Sequence, residues 1–194
     1  MTLEVKIAET DSEKKGAYSL RYNIFCEELC YLDKGLFPDK LEVDKYDSLD
    51  ETFTFIAMGN EKVIGTSRLI KENEKVGMPI ENFYDLSKFR KPGIVFAENS
   101  RSIVLPEYRR TKVIFDIWSA VTQFALKNGI THYCTTCHPK DVKMYNKLGF
   151  KIISNEIICA HYNDNPMVAL VLEIKNMLEP FKTSFLFKRE YIKI

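Results

Sequence analysis

Glycine and proline are scarce, with 8 and 7 in 194 residues, and no glycine occurs between Gly93 and Gly129. That excludes collagen-like and low-complexity architectures. Neither sign of charge is in excess: 28 Lys and Arg stand against 27 Asp and Glu. The balance implies no polyanionic partner, and nucleic acid least of all. No apolar run reaches membrane-spanning length, and no basic-then-apolar leader opens the chain. The expectation is a cytoplasmic protein without stable membrane insertion. Five cysteines are an odd number with no disulfide-framework spacing, which fits a reducing compartment. What is present is ordinary: 45% hydrophobic and 28% charged residues. A core needs no staples at this length, and a single domain over residues 1–194 is expected.

The pattern of apolar residues predicts a mixed order of strands and helices. "LEVKIAET" alternates as a strand. Tyr18, Tyr22, Phe25 and Leu29 recur at helical spacing, with Ser12 as the expected cap. Residues 31–52 are polar and irregular. "TFTFIAMGNEKVIGTSRLI" reads as two strands turning at Gly59-Asn60-Glu61. A short helix is expected around "IENFYDLSKF", then a strand, "GIVFAENSRSIVL", ended by Pro106. Val113, Ile117, Val121 and Phe124 share one face of a long helix with Ile114, Trp118 and Ala125, stopped at Asn128-Gly129. "THYCTTC" is a strand, Pro139 opens a helix to Leu148, and "FKIISNEIICA" and "MVALVLEI" are two more strands. The tail "FKTSFLFKREYIKI" is aromatic and basic. The order predicts an α/β (α+β) fold, a mixed sheet with helices on its faces.

Cys134, Cys137 and His138 have the C-x-x-C-H spacing of a haem or metal site. On a strand, however, residues three apart point to opposite faces. No second C-x-x-C exists, and zinc takes four ligands. The run reads as a strand with two small residues, and no metal is expected.

Three arginines lie on otherwise apolar elements. Arg21 has Ala17, Ile24 and Phe25 as helix neighbours. Arg68 shares a strand face with Ile64 and Ile70, and Arg101 with Ala97, Ile103 and Leu105. A buried guanidinium requires carboxylate partners. Glu42, Asp44, Asp47 and Glu98 are the candidates for one polar cavity, with unrelated surface ion pairs as the simpler reading. Glu98 and Arg101 fall on opposite faces of a regular strand. A bulge at Asn99-Ser100 would bring them together.

In order, Arg21-x-x-x-Phe25, Glu42-x-Asp44-x-x-Asp47, Gly65-Thr-x-Arg68-Leu, Phe83 and Glu98-x-x-Arg101 resemble the acyl-homoserine-lactone (autoinducer) synthases. They also resemble the N-acyl amino acid synthases, both of the GNAT-like acyltransferase fold. The resemblance continues through "LPEYRR" and "HPKDVKMYNKLGF". Tyr31 stands where autoinducer synthases usually have tryptophan, and the ending Y-x-K-L-G-F is more typical of the amino acid branch. The glycine-containing turn of coenzyme A-dependent relatives is replaced by "YRRTKVIF".

The resemblance implies a twisted sheet splayed between the strands at 94–105 and 131–137. An acyl-phosphopantetheine arm would lie in that splay as co-substrate, with no bound cofactor. It further implies acyl transfer from an acyl-carrier protein to the α-amine of a small amino-acid-like acceptor. Glu98 is the candidate base. Ile103, Val104 and Leu105 offer backbone N–H groups to the oxyanion. Arg21, Arg68, Arg101, Glu42, Asp44 and Asp47 form the acceptor end, an arginine fork taking the acceptor carboxylate. Phe25 and Phe83 line it. Arg109, Arg110 and Lys112 suit an acidic carrier protein, with acyl-coenzyme A as the other donor. The alternatives are a homoserine-lactone synthase using S-adenosylmethionine, a coenzyme A-dependent N-acetyltransferase and a non-catalytic GNAT-like binding module.

Overall fold

The computed structural model describes residues 3–73, 75–159 and 162–177, and the backbone of Ile192–Lys193. Its strands are β1 (Leu3–Ile7), β2 (Thr52–Gly59), β3 (Lys62–Lys71), β4 (Phe96–Val104), β5 (His132–Cys137), β6 (Lys151–Ile152), β7 (Ile157–Cys159), β8 (Asn165–Glu173) and β9 (Ile192–Lys193). Its helices are α1 (Asp11–Tyr22), α2 (Val113–Lys127) and α3 (Val142–Leu148). The sheet order is β6-β8-β5-β4-β3-β2-β1-β9, with β7 also on β8. Neighbours run antiparallel except β4–β5 and β1–β9, which are parallel. Apart from the paired β9 backbone, the aromatic, basic tail lies outside the described residues.

The apolar stripe of α2 packs as its spacing predicts. Val113, Ile117, Val121, Phe124 and Ala125 are buried against Phe55, Leu69 and Ala97 from one sheet face. Gly65 permits that approach: a Cβ there would sit 2.8 Å from Ile117 Cδ1 and 2.9 Å from Val104 Cγ1. The other face carries α1 through Ala17 on Ile56, and a second apolar group of Ile70, Met78, Ile80, Leu86, Phe96 and Cys134. Cys137 belongs to the α2 side and Cys134 to the opposite one, as strand alternation requires.

Local details differ from the sequence pattern. Thr10, not Ser12, caps α1. Glu13 sits three residues beyond Thr10, and the two exchange side-chain to backbone bonds at 3.2 Å in each direction, a capping box. The helical spacing beyond Tyr22 continues as a π turn, Asn23–Glu28. The hairpin turns on Asn60 and Glu61, with φ of 50° and 63°, the pair of left-handed residues a two-residue turn demands. The helix expected around residues 80–89 is two 3-10 turns, Pro79–Asn82 and Ser87–Phe89. The strand expected after Gly149 is interrupted. Ser154 Oγ accepts from Ala169 N at 2.9 Å between β6 and β7.

Candidate active site

β4 and β5 pair only at Phe96–His132, Ala97–Tyr133 and Glu98–Cys134. Beyond that point β5 follows β8 to Cys137, while β4 follows β3 to Val104. The strands therefore splay, and Glu98 is the last residue of β4 held to β5.

The bulge that opens β4 lies two residues later than expected. Ser100 faces Arg68 and Ile103 faces Thr66, so Arg101 and Ser102 together oppose Ser67. Arg101 has φ of 56°, a left-handed conformation costing roughly 1–2 kcal/mol for a residue with a Cβ. The twist turns Arg101 away from Ala97 and onto the face of Glu98. A shift between Ala57 and Met58 of β2 makes Ile64 the extra residue of β3. Ile64 therefore joins the α2 side, whereas Arg68 stays with Ile70 on the other.

On that face the three arginines and three carboxylates form one network. Arg21 donates from Nη1 and Nη2 to both oxygens of Asp47, at 2.7 and 2.8 Å, and from Nε to Glu42. Arg68 Nη1 donates to Asp44 at 2.7 Å and lies 3.0 Å from Asp47. Arg101 donates to Glu42 from Nη2 at 2.9 Å and from Nε at 3.2 Å. The loop is organised from within: Asp44 N donates to Asp47, and Tyr46 N to Asp44, each at 2.9 Å. Arg21 and Arg68 are 0% exposed, so these are not the weak surface pairs of the simpler reading. Three cations meet three anions, which makes burial tolerable.

Electrostatics follow from this arrangement. Burial pushes the Glu42 carboxyl up, but the guanidiniums of Arg101 and Arg21 overrule it and hold it at about 2. Asp47 is held below the usual carboxylate range by Arg21 and Arg68, against its own burial. Glu98 behaves oppositely. It is 2% exposed and makes no ion pair with an arginine among the described residues. One oxygen accepts from Ile80 N at 2.6 Å. Burial raises its pKa to about 7, against the pull of that hydrogen bond and of the Arg68 and Arg101 charges.

The forks of Arg21 and Arg101 are spent on protein carboxylates. Arg68 differs: its Nη2 is buried with no hydrogen-bond partner. Phe25, on the π turn, lies 5.6 Å from the Arg101 guanidinium. Phe83 reaches that group through Tyr162, at 6.0 Å between rings. Tyr162 accepts from Arg101 Nη1 at 3.1 Å. Neither Tyr162 nor the Ile80 amide had a motif to announce it. Tyr31 stacks on His138 at 6.2 Å and accepts from Lys140 Nζ at 2.7 Å, which gives the C-x-x-C-H histidine a packing partner.

On the donor side Leu105 N donates to Ile64 O at 2.9 Å, so its amide is not available to an oxyanion. Amides alternate along a strand. Ile103 therefore faces β3 as well, and Val104 N–H is the one directed into the splay. Behind it, on the α2 side, a cavity of about 30 Å³ is lined by Asn99, Ser102, Trp118, Tyr133 and Tyr145. Arg109 is exposed but forms a two-pronged pair with Glu28 at 2.6 and 2.7 Å. Arg110 and Lys112 are exposed at the start of α2. Arg110 has φ of 65°, so the turn keeps a left-handed residue although its glycine is missing.

Two curated relatives named L-ornithine N(alpha)-acyltransferase are 30% identical. The Rhizobium meliloti (strain 1021) protein matches over 146 residues and the Agrobacterium fabrum (strain C58) protein over 140, each match covering 66% of this chain and 47% of the relative. The chain thus spans about half the length of these relatives. Among solved structures, FeeM, an N-acyl amino acid synthase from uncultured soil microbes, superposes with a TM-score of 0.76 at 18% identity, covering 91% of this chain and 94% of that one. BjaI, a CoA-dependent acyl-homoserine lactone synthase, gives 0.74 at 19% identity, covering 100% and 96%. Both share the twisted acyltransferase sheet, which fixes the fold as GNAT-like. The family model described as "N-acyl amino acid synthase FeeM" matches residues 16–173, and to that family this chain belongs.

Proposed function

We propose that residues 1–194 act as one domain that moves an acyl group from a carrier-protein thioester to the α-amine of an amino acid. The observation that carries this reading is Glu98: a buried carboxyl at the vertex of the splay, with its pKa raised to about 7. A general base works best with its pKa near the working pH. Glu98 takes the ammonium proton, directly or through water, and the amine attacks the thioester carbon. The C–N bond forms, the C–S bond breaks and the thiol leaves. Val104 N–H is directed to where the carbonyl oxygen becomes an anion. Arg68 Nη2, on the face of Glu98, is the donor for the acceptor carboxylate. An acyl chain reaches toward Trp118 and Tyr145, which must move, since 30 Å³ is room for about one water.

The relatives' names make ornithine the first acceptor to test. The protein is incubated with acyl-carrier protein and a panel of amino acids, and products are read by mass spectrometry. An N-acyl amino acid is expected. An N-acyl-homoserine lactone formed from S-adenosylmethionine, or no product, would overturn the reading. A second reading, coenzyme A as donor, is favoured by the left-handed turn at Arg110. That turn lets backbone amides gather around a phosphate without a glycine. Comparing the two donors decides between them.

A further inference from the structure

On the α1 face, beyond Glu98, the sheet floors a cavity of about 260 Å³. Its position follows from register. Phe96, His132 and Glu173 form one cross-strand row, and Glu98, Cys134, Val171 and Lys151 form the next. With strands ~4.8 Å apart, Val171 lies roughly 10 Å from Glu98, and Cys134 fills the step between them. Phe89, Ile94 and Ile153 complete an apolar lining, and Lys88, Lys91 and Lys151 stand exposed on the rim. None of these lysines forms an ion pair among the described residues, although Lys88 lies within electrostatic reach of Asp85. Lys88 instead lies over the rings of Tyr84 and Phe89, at 4.9 and 5.3 Å. Among the described lining residues the one acid, Glu173, is engaged by Lys175 at 2.5 Å and Asn176 at 2.6 Å. An apolar floor under three ammonium groups that form no ion pair among the described residues is complementary to one ligand chemistry, an apolar body with a single anionic end.

We propose that this cavity is a second binding site, for an amphipathic carboxylate. Its body lies on Phe96, Ile94, Ile153 and Val171, and its anion meets Lys88, Lys91 and Lys151. The volume is room for about nine water-sized groups at ~30 Å³ each, the scale of an octanoate. Free fatty acids and the carboxylate end of N-acyl amino acids share this chemistry. The site is independent of the acceptor and donor assignments above. Phe96 and His132 are also the first rung of the β4–β5 pairing, so an occupant touches the closed end of the cleft.

The test is titration of octanoate into the full chain carrying labelled isoleucine and valine methyl groups. The methyls of Ile94, Ile153 and Val171 should shift and saturate, while those of Ile103 and Val104 in the splay stay in place. The double reversal Lys91→Glu with Lys151→Glu should weaken binding about tenfold. Octanamide, with the same shape and no charge, should bind wild type more weakly than octanoate does. Shifts confined to Ile103 and Val104, no saturating shift, or unchanged affinity in the reversed protein would overturn the site. N-octanoylglycine compared with octanoate identifies the source: tighter binding indicates an acyl amino acid, weaker binding a free fatty acid.

Discussion

Glu98 and Arg101 stand three residues apart on β4, yet both side chains face the α1 side of the sheet. The left-handed backbone of Arg101, φ 56°, is the cause. They do not pair with one another. Arg101 is held by Glu42 and Tyr162, and Glu98 by the amide of Ile80. Glu98 therefore feels cationic charge without being neutralised by it. It remains a carboxyl able to exchange a proton near neutrality.

Glu98→Gln separates catalysis from scaffolding. Loss of a general base lowers kcat on the order of a hundred- to ten-thousand-fold with a smaller effect on KM. Stability should move the other way. Burial raises the pKa of Glu98 to about 7 in the folded protein, above the 4.5 of an ordinary glutamate. The folded state therefore binds the extra proton between these values, and stability falls as pH rises through that window. Glutamine mimics the protonated form, so the mutant should melt at or above the wild-type temperature by pH 8. The logarithm of the wild-type single-turnover rate should rise with unit slope below about pH 7 and level off above it. A mutant with wild-type transfer and a lowered melting temperature would make Glu98 a structural partner only.

Arg68 Nη2 predicts the acceptor's recognition. A hydrogen bond to a charged group contributes about 1.5–3 kcal/mol, or roughly ten- to a hundred-fold in affinity. An amino acid methyl ester should therefore show a KM higher by that factor with wild-type protein. Arg68→Lys should bind acid and ester alike. Equal KM values for acid and ester with the wild type would remove Arg68 from acceptor binding.

The charged cluster was legible in the sequence, because guanidiniums on apolar faces require carboxylates and Glu42, Asp44 and Asp47 stand together in one short stretch. The faces themselves were not. Regular alternation puts Arg101 with Ala97 and Arg68 with Ile64, and one bulge breaks each pairing. A left-handed arginine is not encoded in propensity, so the bulge was expected at Asn99-Ser100. Tyr162 enters from a hairpin between β7 and β8 with no spacing to betray it. The α2 helix was plain because its stripe is continuous. The region around residues 80–89 was not, because a single apolar turn looks alike in α and 3-10 geometry.

Acid should unfold this protein by a defined route. The Arg101 and Arg21 guanidiniums hold Glu42 at about 2, below the 4.5 of an ordinary glutamate. A depressed carboxylate contributes stability that is full above the unfolded pKa and is lost as pH falls toward the folded one. Melting temperature should drop steeply between about pH 4.5 and pH 2. The contribution at neutral pH is on the order of 3 kcal/mol. Glu42→Gln should forfeit it, cost about 3–5 kcal/mol by leaving Arg101 and Arg21 short of an anion, and flatten the pH profile. A mutant whose melting curve keeps the wild-type acid slope would place that stability elsewhere in the network.

The donor prediction turns on the pairing of Arg109. Glu28 grips it in two prongs, so its charge is largely cancelled, while Arg110 stands exposed one residue later. Steering of an acidic carrier protein acts through uncancelled charge and is screened by salt within about 10 Å at 0.1 M. Arg110→Glu should therefore lower kcat/KM for acyl-carrier protein more than Arg109→Glu does, and the gap should narrow as salt is raised. Turnover of a short acyl-pantetheine, which has no acidic surface, should be the same in both variants. If coenzyme A is the donor, the ordering survives but for another reason. The left-handed φ at Arg110 shapes the phosphate turn, so Arg110→Gly would keep or improve acyl-coenzyme A turnover while weakening the carrier-protein reaction. Measuring Arg110→Glu and Arg110→Gly with both donors at two salt concentrations separates charge from backbone geometry. A carrier-protein rate indifferent to all of these changes would move the docking surface away from the start of α2.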